Sequence, residues 1–183
     1  MEVSKKIALI DIDGCLSDYP NDIFLDLVRK EFGFTCRTKS EVIDKIGLSE
    51  YKSLKYKLRL DPGFKLSYKF RRDSLAVFSK LNKMGFEIWI YTSRPNLGSN
   101  HKTTYDWLSE NNVKFDKLYF TAQKGESYLF SRNLEKVIVV DDEDKAIEPY
   151  LGDDNVTLYK FGGDSKYSGV NNVKDWNDLN SRL

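Results

Sequence analysis

The sequence predicts an α/β fold, a mostly parallel sheet of five strands covered on both faces by helices, and three observations carry that prediction. Short apolar runs such as Ile7–Ile10, Phe86–Tyr91 and Val137–Val140 alternate with helical patterns along the chain. The first and third of these lack the apolar/polar alternation of a half-exposed strand, which suits strands buried on both faces and joined by right-handed crossovers. Three of the predicted strands end in residues able to do chemistry: Asp11 and Asp13, Thr92 and Ser93, Asp141 and Asp142. In such a sheet ligands bind beyond the carboxyl ends of the strands, near the place where strand order reverses.

Length and composition set the frame. A chain of 183 residues is one domain with room for a decorating insertion. Apolar residues make up 40%, charged residues 31% and aromatic residues 14%, and the net charge of +1 excludes few partners. Two cysteines, Cys15 and Cys36, and one histidine, His101, cannot assemble a disulfide framework or a Cys/His zinc cluster. Cys15 reads as a small turn residue, and His101 as decoration of a helix start. The apolar run before Asp11 is too short for a signal peptide or a membrane span, so a cytoplasmic protein without a membrane partner is expected, as monomer or homodimer.

The elements follow in order. After the first strand, Gly14 permits a tight turn. Phe24, Leu27, Val28 and Phe32 form one face of a helix from Asn21, with Gly33 as its stop. Thr38-x-x-Glu41 reads as a capping box, opening a second helix that stops at Gly47. A third, carrying Tyr51, Leu54 and Leu58 inward, ends before Asp61-Pro62-Gly63. Asp73 is the expected N-cap of a helix with Leu75, Phe78, Leu81 and Met84, closed by Gly85. The strand Phe86–Tyr91 leads into Thr92-Ser93-Arg94-Pro95, and a helix from about Lys102 to Glu110 is expected to turn Tyr105 and Leu108 inward. Strands at Lys117–Phe120, Val137–Val140 and Val156–Tyr159 follow, then a glycine-rich loop and a terminal helix around Trp176 and Leu179.

One stretch stands apart in charge. Residues 51–72 carry eight basic side chains against the single acid Asp61, a net of +7 that leaves −6 for the rest. Tyr51, Tyr56, Phe64, Tyr68 and Phe70 are interleaved with them, a combination that suits a nucleotide or another anion as well as a solvated helix surface.

Four carboxylates gathered at one sheet edge repel unless a cation sits among them, and all-oxygen donors favour Mg²⁺. Such an ion takes a further ligand from an anionic substrate, most naturally a phosphate. Thr92 and Ser93 hydroxyls, loop amides and the charge of Lys124, with Lys117 as the fallback, would complete an anion site. Asp11 is then placed to attack phosphorus, and Asp13 to protonate the leaving oxygen and later deprotonate water.

These motifs resemble those of the haloacid dehalogenase-like phosphatase superfamily. Its Asp-x-Asp-Gly motif is matched by Asp11-Ile12-Asp13-Gly14-Cys15-Leu16, its second motif by Thr92, its third by Lys124 and its fourth by Asp141-Asp142. The resemblance implies a Rossmann-like three-layer core with Asp11 as nucleophile, Asp13 as acid/base, and Mg²⁺ held by Asp11, the Asp13 carbonyl and the acidic pair Asp141 and Asp142. Gly14, Ser93 and Arg94 are the expected substrate contacts. Residues 1–18 and 73–183 would form the core and residues 19–72 a small helical cap. Within the superfamily the chain is most similar to the 5'(3')-deoxyribonucleotidase group, through Thr92-Ser93, Tyr105-x-Trp107-Leu108, Lys124 and Trp176. Arg94-Pro95 and the basic cap instead look like the phosphatase part of polynucleotide kinases, which act on nucleic-acid 3' ends. A non-enzymatic phosphoacceptor resembling a response-regulator receiver is the alternative of another class.

Overall fold

The computed structural model describes residues 5–121 and 134–183. Its described strands form one parallel sheet in the order β3-β2-β1-β4-β5-β6, where β1 is Lys6–Asp11, β2 Phe86–Thr92, β3 Lys117–Phe120, β4 Lys136–Asp141, β5 Val156–Phe161 and β6 Asn171–Val173. The chain runs outward from β1 through β2 to β3, then returns to pair β4 on the other side of β1. Strand order therefore reverses between β1 and β4, which places a crevice at their carboxyl ends.

The sheet's registration explains why β1 reads as an unbroken apolar run. Ile7 and Leu9 point to one face, with Trp89, Tyr91, Val137 and Val139. Ala8 and Ile10 point to the other, with Ile88, Ile90, Ile138 and Val140. Both faces are covered by packed elements, so every position from Ile7 to Asp11 is buried. The sixth strand, Asn171–Val173, corrects the expectation of five: three residues, two of them asparagine, give no apolar run to read.

Between β1 and β2 stand four helices: α1 (Asn21–Phe32), α2 (Lys39–Leu60), α3 (Pro62–Leu66) and α4 (Ser74–Lys83). The first three enclose their own cluster, with Phe24, Val28, Val42, Tyr51, Leu54 and Leu58 buried together. Burying each such side chain contributes about 1.5–3 kcal/mol, enough to make this region more than a surface decoration. Gly33 ends α1 in the left-handed region, as expected. The two helices expected on either side of Gly47 are present within α2, kinked at that glycine, which departs from helical geometry with φ 83° and ψ 157°. Thr38 Oγ1 accepts from the Glu41 amide and Glu41 Oε2 from the Arg37 amide, the reciprocal pattern of a capping box shifted by one donor.

Where this helical region leaves and rejoins the sheet, its two ends lie side by side. The Asp18 amide donates to Lys69 O and the Arg71 amide to Leu16 O, and Arg71 pairs with Asp18 at 2.7 Å. Asp73, the expected N-cap, is itself αR and makes no capping bond. The first amides of α4 are satisfied instead by Arg71 and Arg72 carbonyls. Two further helices are α5 (Gly98–Glu110) and α6 (Asp144–Ile147). The start of α5 at Gly98 lies a full turn before the expected Lys102. Its buried stripe is Thr103, Thr104, Trp107 and Leu108, so Tyr105 falls on the outer side and is 54% exposed.

The terminal helix α7 (Trp176–Arg182) is capped by Asp175 and seals the core with Trp176, which is fully buried against Phe161 and Phe78. The Trp176 indole donates to the Cys15 carbonyl at 2.9 Å, tying this last helix to the turn after β1. No helix among the described residues is long and apolar enough to cross a membrane.

Candidate active site

The turn after β1 curls tightly because one carbonyl gathers its amides: Ile12 O accepts from Leu16 and Ser17, both at 2.9 Å, and the Gly14 amide donates to Ser17 O. Gly14 has φ +103°, and a Cβ there would collide with the Asp142 carboxylate. The glycine thus serves two purposes, the left-handed turn and the close approach of β4's acidic end. Asp11, at the end of β1, is 2% exposed.

Two consecutive aspartates at the end of β4 occupy different environments. Asp141 is fully buried; its Oδ2 accepts from the Tyr91 hydroxyl at 2.7 Å and its Oδ1 from the Glu143 amide at 2.8 Å. Burial, and then the charges of Asp141 and Asp11, hold the Tyr91 phenol well above its ordinary pKa, so it stays a donor. Asp142 turns the other way. One carboxylate oxygen each from Asp11 and Asp142, and the Cys15 thiol, lie within 4.8 Å of one another. Two hard carboxylates this close fit a divalent cation, and the cavity beside them leaves room for further oxygen ligands. Cys15 itself is buried, with its thiol 4.0 Å from Val140 O.

Asp13 lies on the far side of Gly14 and faces cations. Arg94, with no exposed side-chain surface, grips it through Nε at 3.2 and 3.0 Å to Oδ1 and Oδ2 and again through Nη2 to Oδ1. Burial pulls the guanidinium's pKa down, and the charge of Asp13 more than offsets that, leaving it raised. Arg94 Nη1 also donates to Thr104 Oγ1, and its plane lies over Tyr68 and Trp107. Lys65 approaches from α3, 3.6 Å from Asp13 Oδ2 and 1% exposed. The Asp13 backbone carbonyl accepts from the Tyr19 hydroxyl at 2.9 Å. Although 39% of Tyr19 is exposed, its phenol end is inside the site, where burial and the charges of Asp142, Asp13, Asp11 and Glu143 raise its pKa far above normal.

Of the other residues singled out from sequence, Thr92 is fully buried at the end of β2 with its Oγ1 accepting from the Arg94 amide, and Ser93 is exposed beside it. Lys124 lies outside the described residues. Lys117, the fallback, starts β3 and packs over Trp89, 4.1 Å from the ring centroid, at the opposite end of its strand from Thr92. His101 stacks on Phe120 near the start of α5. Sequence reasoning named neither Tyr19, Lys65 nor Tyr91 as site residues. Tyr91 could have been found as an apolar-run tyrosine next to a strand-end threonine; Lys65 offered no signal beyond its basic neighbours.

A cavity of about 390 Å³ opens beside the carboxylates. Asp142 and Glu143 mark its acidic end, Phe24, Tyr51 and Phe64 are among its walls, and Arg37, Lys39 and Lys55 bring positive charge to it. Lys39 and Lys55 both sit over the Tyr51 ring, at 5.4 and 5.7 Å. The cavity thus joins the helical region to the crevice between β1 and β4.

Solved structures share this architecture over nearly the whole chain. A haloacid dehalogenase-superfamily hydrolase from Ehrlichia chaffeensis matches with a TM-score of 0.60 at 13% identity, covering 98% of this chain and 96% of that one. The fold is that of the haloacid dehalogenase hydrolases. D,D-heptose 1,7-bisphosphate phosphatase from B. bronchiseptica, complexed with magnesium and phosphate, matches at a TM-score of 0.54 and 10% identity over 97% of each chain. A hydrolase from Streptococcus pneumoniae gives 0.57 and 12% over 98% and 97%. No protein-family model and no curated protein sequence matches the chain.

Proposed function

We propose that the protein is a Mg²⁺-dependent phosphomonoesterase that works through an aspartyl-phosphate on Asp11, with a nucleotide as substrate. The observation that supports this most is the split at Gly14: a carboxylate pair suited to a divalent cation on one side, and a carboxylate held by cations on the other. Asp11 attacks phosphorus as the phosphate-to-oxygen bond of the ester breaks. Asp13 gives the departing oxygen its proton, then takes one from the water that cleaves the acyl phosphate, releasing inorganic phosphate and restoring Asp11. Asp11, Asp142 and the Asp13 carbonyl would hold magnesium, with Asp141 behind Asp142, and the ion would supply charge neutralisation for the phosphate. Thr92, Ser93, the loop amides and Lys124 would receive the phosphate oxygens. Arg94, expected from sequence to touch substrate, would act by fixing Asp13.

In this reading residues 19–72 form a cap over a core of residues 1–18 and 73–183, and the aromatic cavity takes the base of the nucleotide. Both thiols are buried and neither is in a disulfide, which suits a reducing cytoplasm. A second reading, removal of terminal phosphates from nucleic-acid 3' ends, is favoured by Arg37, Lys39 and Lys55 at the cavity and by the +7 stretch that runs on from it.

The test is release of inorganic phosphate, with Mg²⁺, from nucleoside monophosphates, 3'-phosphorylated oligonucleotides and sugar phosphates. Hydrolysis that stops with EDTA and falls at least about a thousandfold in Asp11→Asn is expected. Full activity in that variant sinks the proposal, and stable phosphorylation of Asp11 without turnover turns it into a phosphoacceptor. A preference for the oligonucleotide selects the second reading.

A further inference from the structure

Two buried cations meet on Asp13, and they come from opposite sides of the junction between helical region and sheet. Arg94 follows β2 and belongs to the core, while Lys65 belongs to α3. The Arg94 fork already reaches both carboxylate oxygens. Enclosing a lysine at 1% exposure is costly, because an ammonium loses its hydration there. Its ion pair with Asp13 Oδ2 at 3.6 Å crosses from one region to the other. The surroundings lock this arrangement: the Tyr68 ring has Lys65 at 4.8 Å and Arg94 at 5.3 Å, and the Tyr68 carbonyl accepts from the Trp107 indole of α5 at 2.9 Å.

We propose that Lys65 is the positioning residue through which the helical region sets Asp13. Its ammonium fixes Asp13 Oδ2, so seating of α3 against α5 and orientation of the carboxylate are a single event. Asp13's part in catalysis rests on the phosphomonoesterase reading above; the mechanical link between α3 and Asp13 does not.

The experiment compares wild type, Lys65→Met and Lys65→Arg by steady-state kinetics on the best phosphomonoester and by amide hydrogen exchange. In Lys65→Met, kcat is expected to fall about a hundredfold, the scale of a misplaced reacting group, while KM stays within about threefold. Exchange across residues 62–70 should become at least about tenfold faster. Lys65→Arg keeps the charge and should recover wild-type exchange and most of kcat. Asp13→Asn, which weakens the same link from its other end, should loosen residues 62–70 in the same way and keeps the test open if Lys65→Met does not fold. Unchanged exchange in Lys65→Met or Asp13→Asn overturns the proposal, as does a raised KM with kcat retained, which would make Lys65 a substrate contact. Absence of hydrolysis by wild type removes the phosphomonoesterase reading, while the exchange comparison still decides the link.

Discussion

Asp13 and Asp142 flank the same glycine, and the protein treats them in opposite ways. Around Asp13 it has brought its own counter-charges, a guanidinium and an ammonium with almost no exposed surface. Around Asp142 it has brought a second carboxylate, Asp11, and left a cavity alongside. Buried charge of one sign is tolerated only where something compensates it. The Asp13 side is compensated by the chain and therefore fixed in geometry. The Asp11 and Asp142 side sets two carboxylates beside a cavity, an arrangement that a divalent cation would fit. Asp141 accepts from two neutral donors, the Tyr91 hydroxyl and the Glu143 amide.

Breaking the compensated side has the largest effect. Arg94→Met leaves Asp13 without its fork in a buried setting and should cost about 3–5 kcal/mol of stability, read from the urea midpoint. A loss under 1 kcal/mol would mean that Lys65 alone compensates Asp13. The intermediate case is Tyr91→Phe, which removes a donor from fully buried Asp141 and should cost about 1–3 kcal/mol. Asp142→Asn sharpens the contrast with the smallest change. It relieves repulsion with Asp11, so the metal-free protein should be equally stable or gain up to about 1 kcal/mol. Added Mg²⁺ is expected to raise the Tm of wild type and to leave that of Asp142→Asn unchanged. A destabilised Asp142→Asn protein would place Asp142 on the compensated side.

Legibility from sequence followed the same division. The strand-end carboxylates could be read because fully buried strands announce themselves as apolar runs, and whatever follows such a run lies at the sheet edge. Asp11 and Asp141, like Thr92, are the last residues of their strands, where the apolar runs place them. The partners that fix them could not be read. Lys65 is one of eight basic residues between Tyr51 and Arg72, and local pattern gives no reason to separate it from Lys57 or Lys69. Its burial is a consequence of where α3 docks, a contact with α5 more than thirty residues away along the chain. The different fates of Asp141 and Asp142 were equally hidden, since they turn on a hydroxyl fifty residues away. Leu108 is buried as its pattern suggests, but Tyr105 is not, because a stripe that includes Thr103 and Thr104 does not look apolar and the sequence offers the tyrosine in their place.

The bond from the Trp176 indole to the Cys15 carbonyl spans 161 positions of the chain. A ribosome delivers Asp11, Asp13, Asp141 and Asp142 well before it delivers that indole. A nascent polypeptide that has reached Phe161 therefore carries every one of these carboxylates, yet lacks the donor that pins the turn after Gly14 and the ring that closes the core beneath it. The turn's local bonds form without α7, but its tie to the core through Trp176 is available only once β6 and α7 have been made.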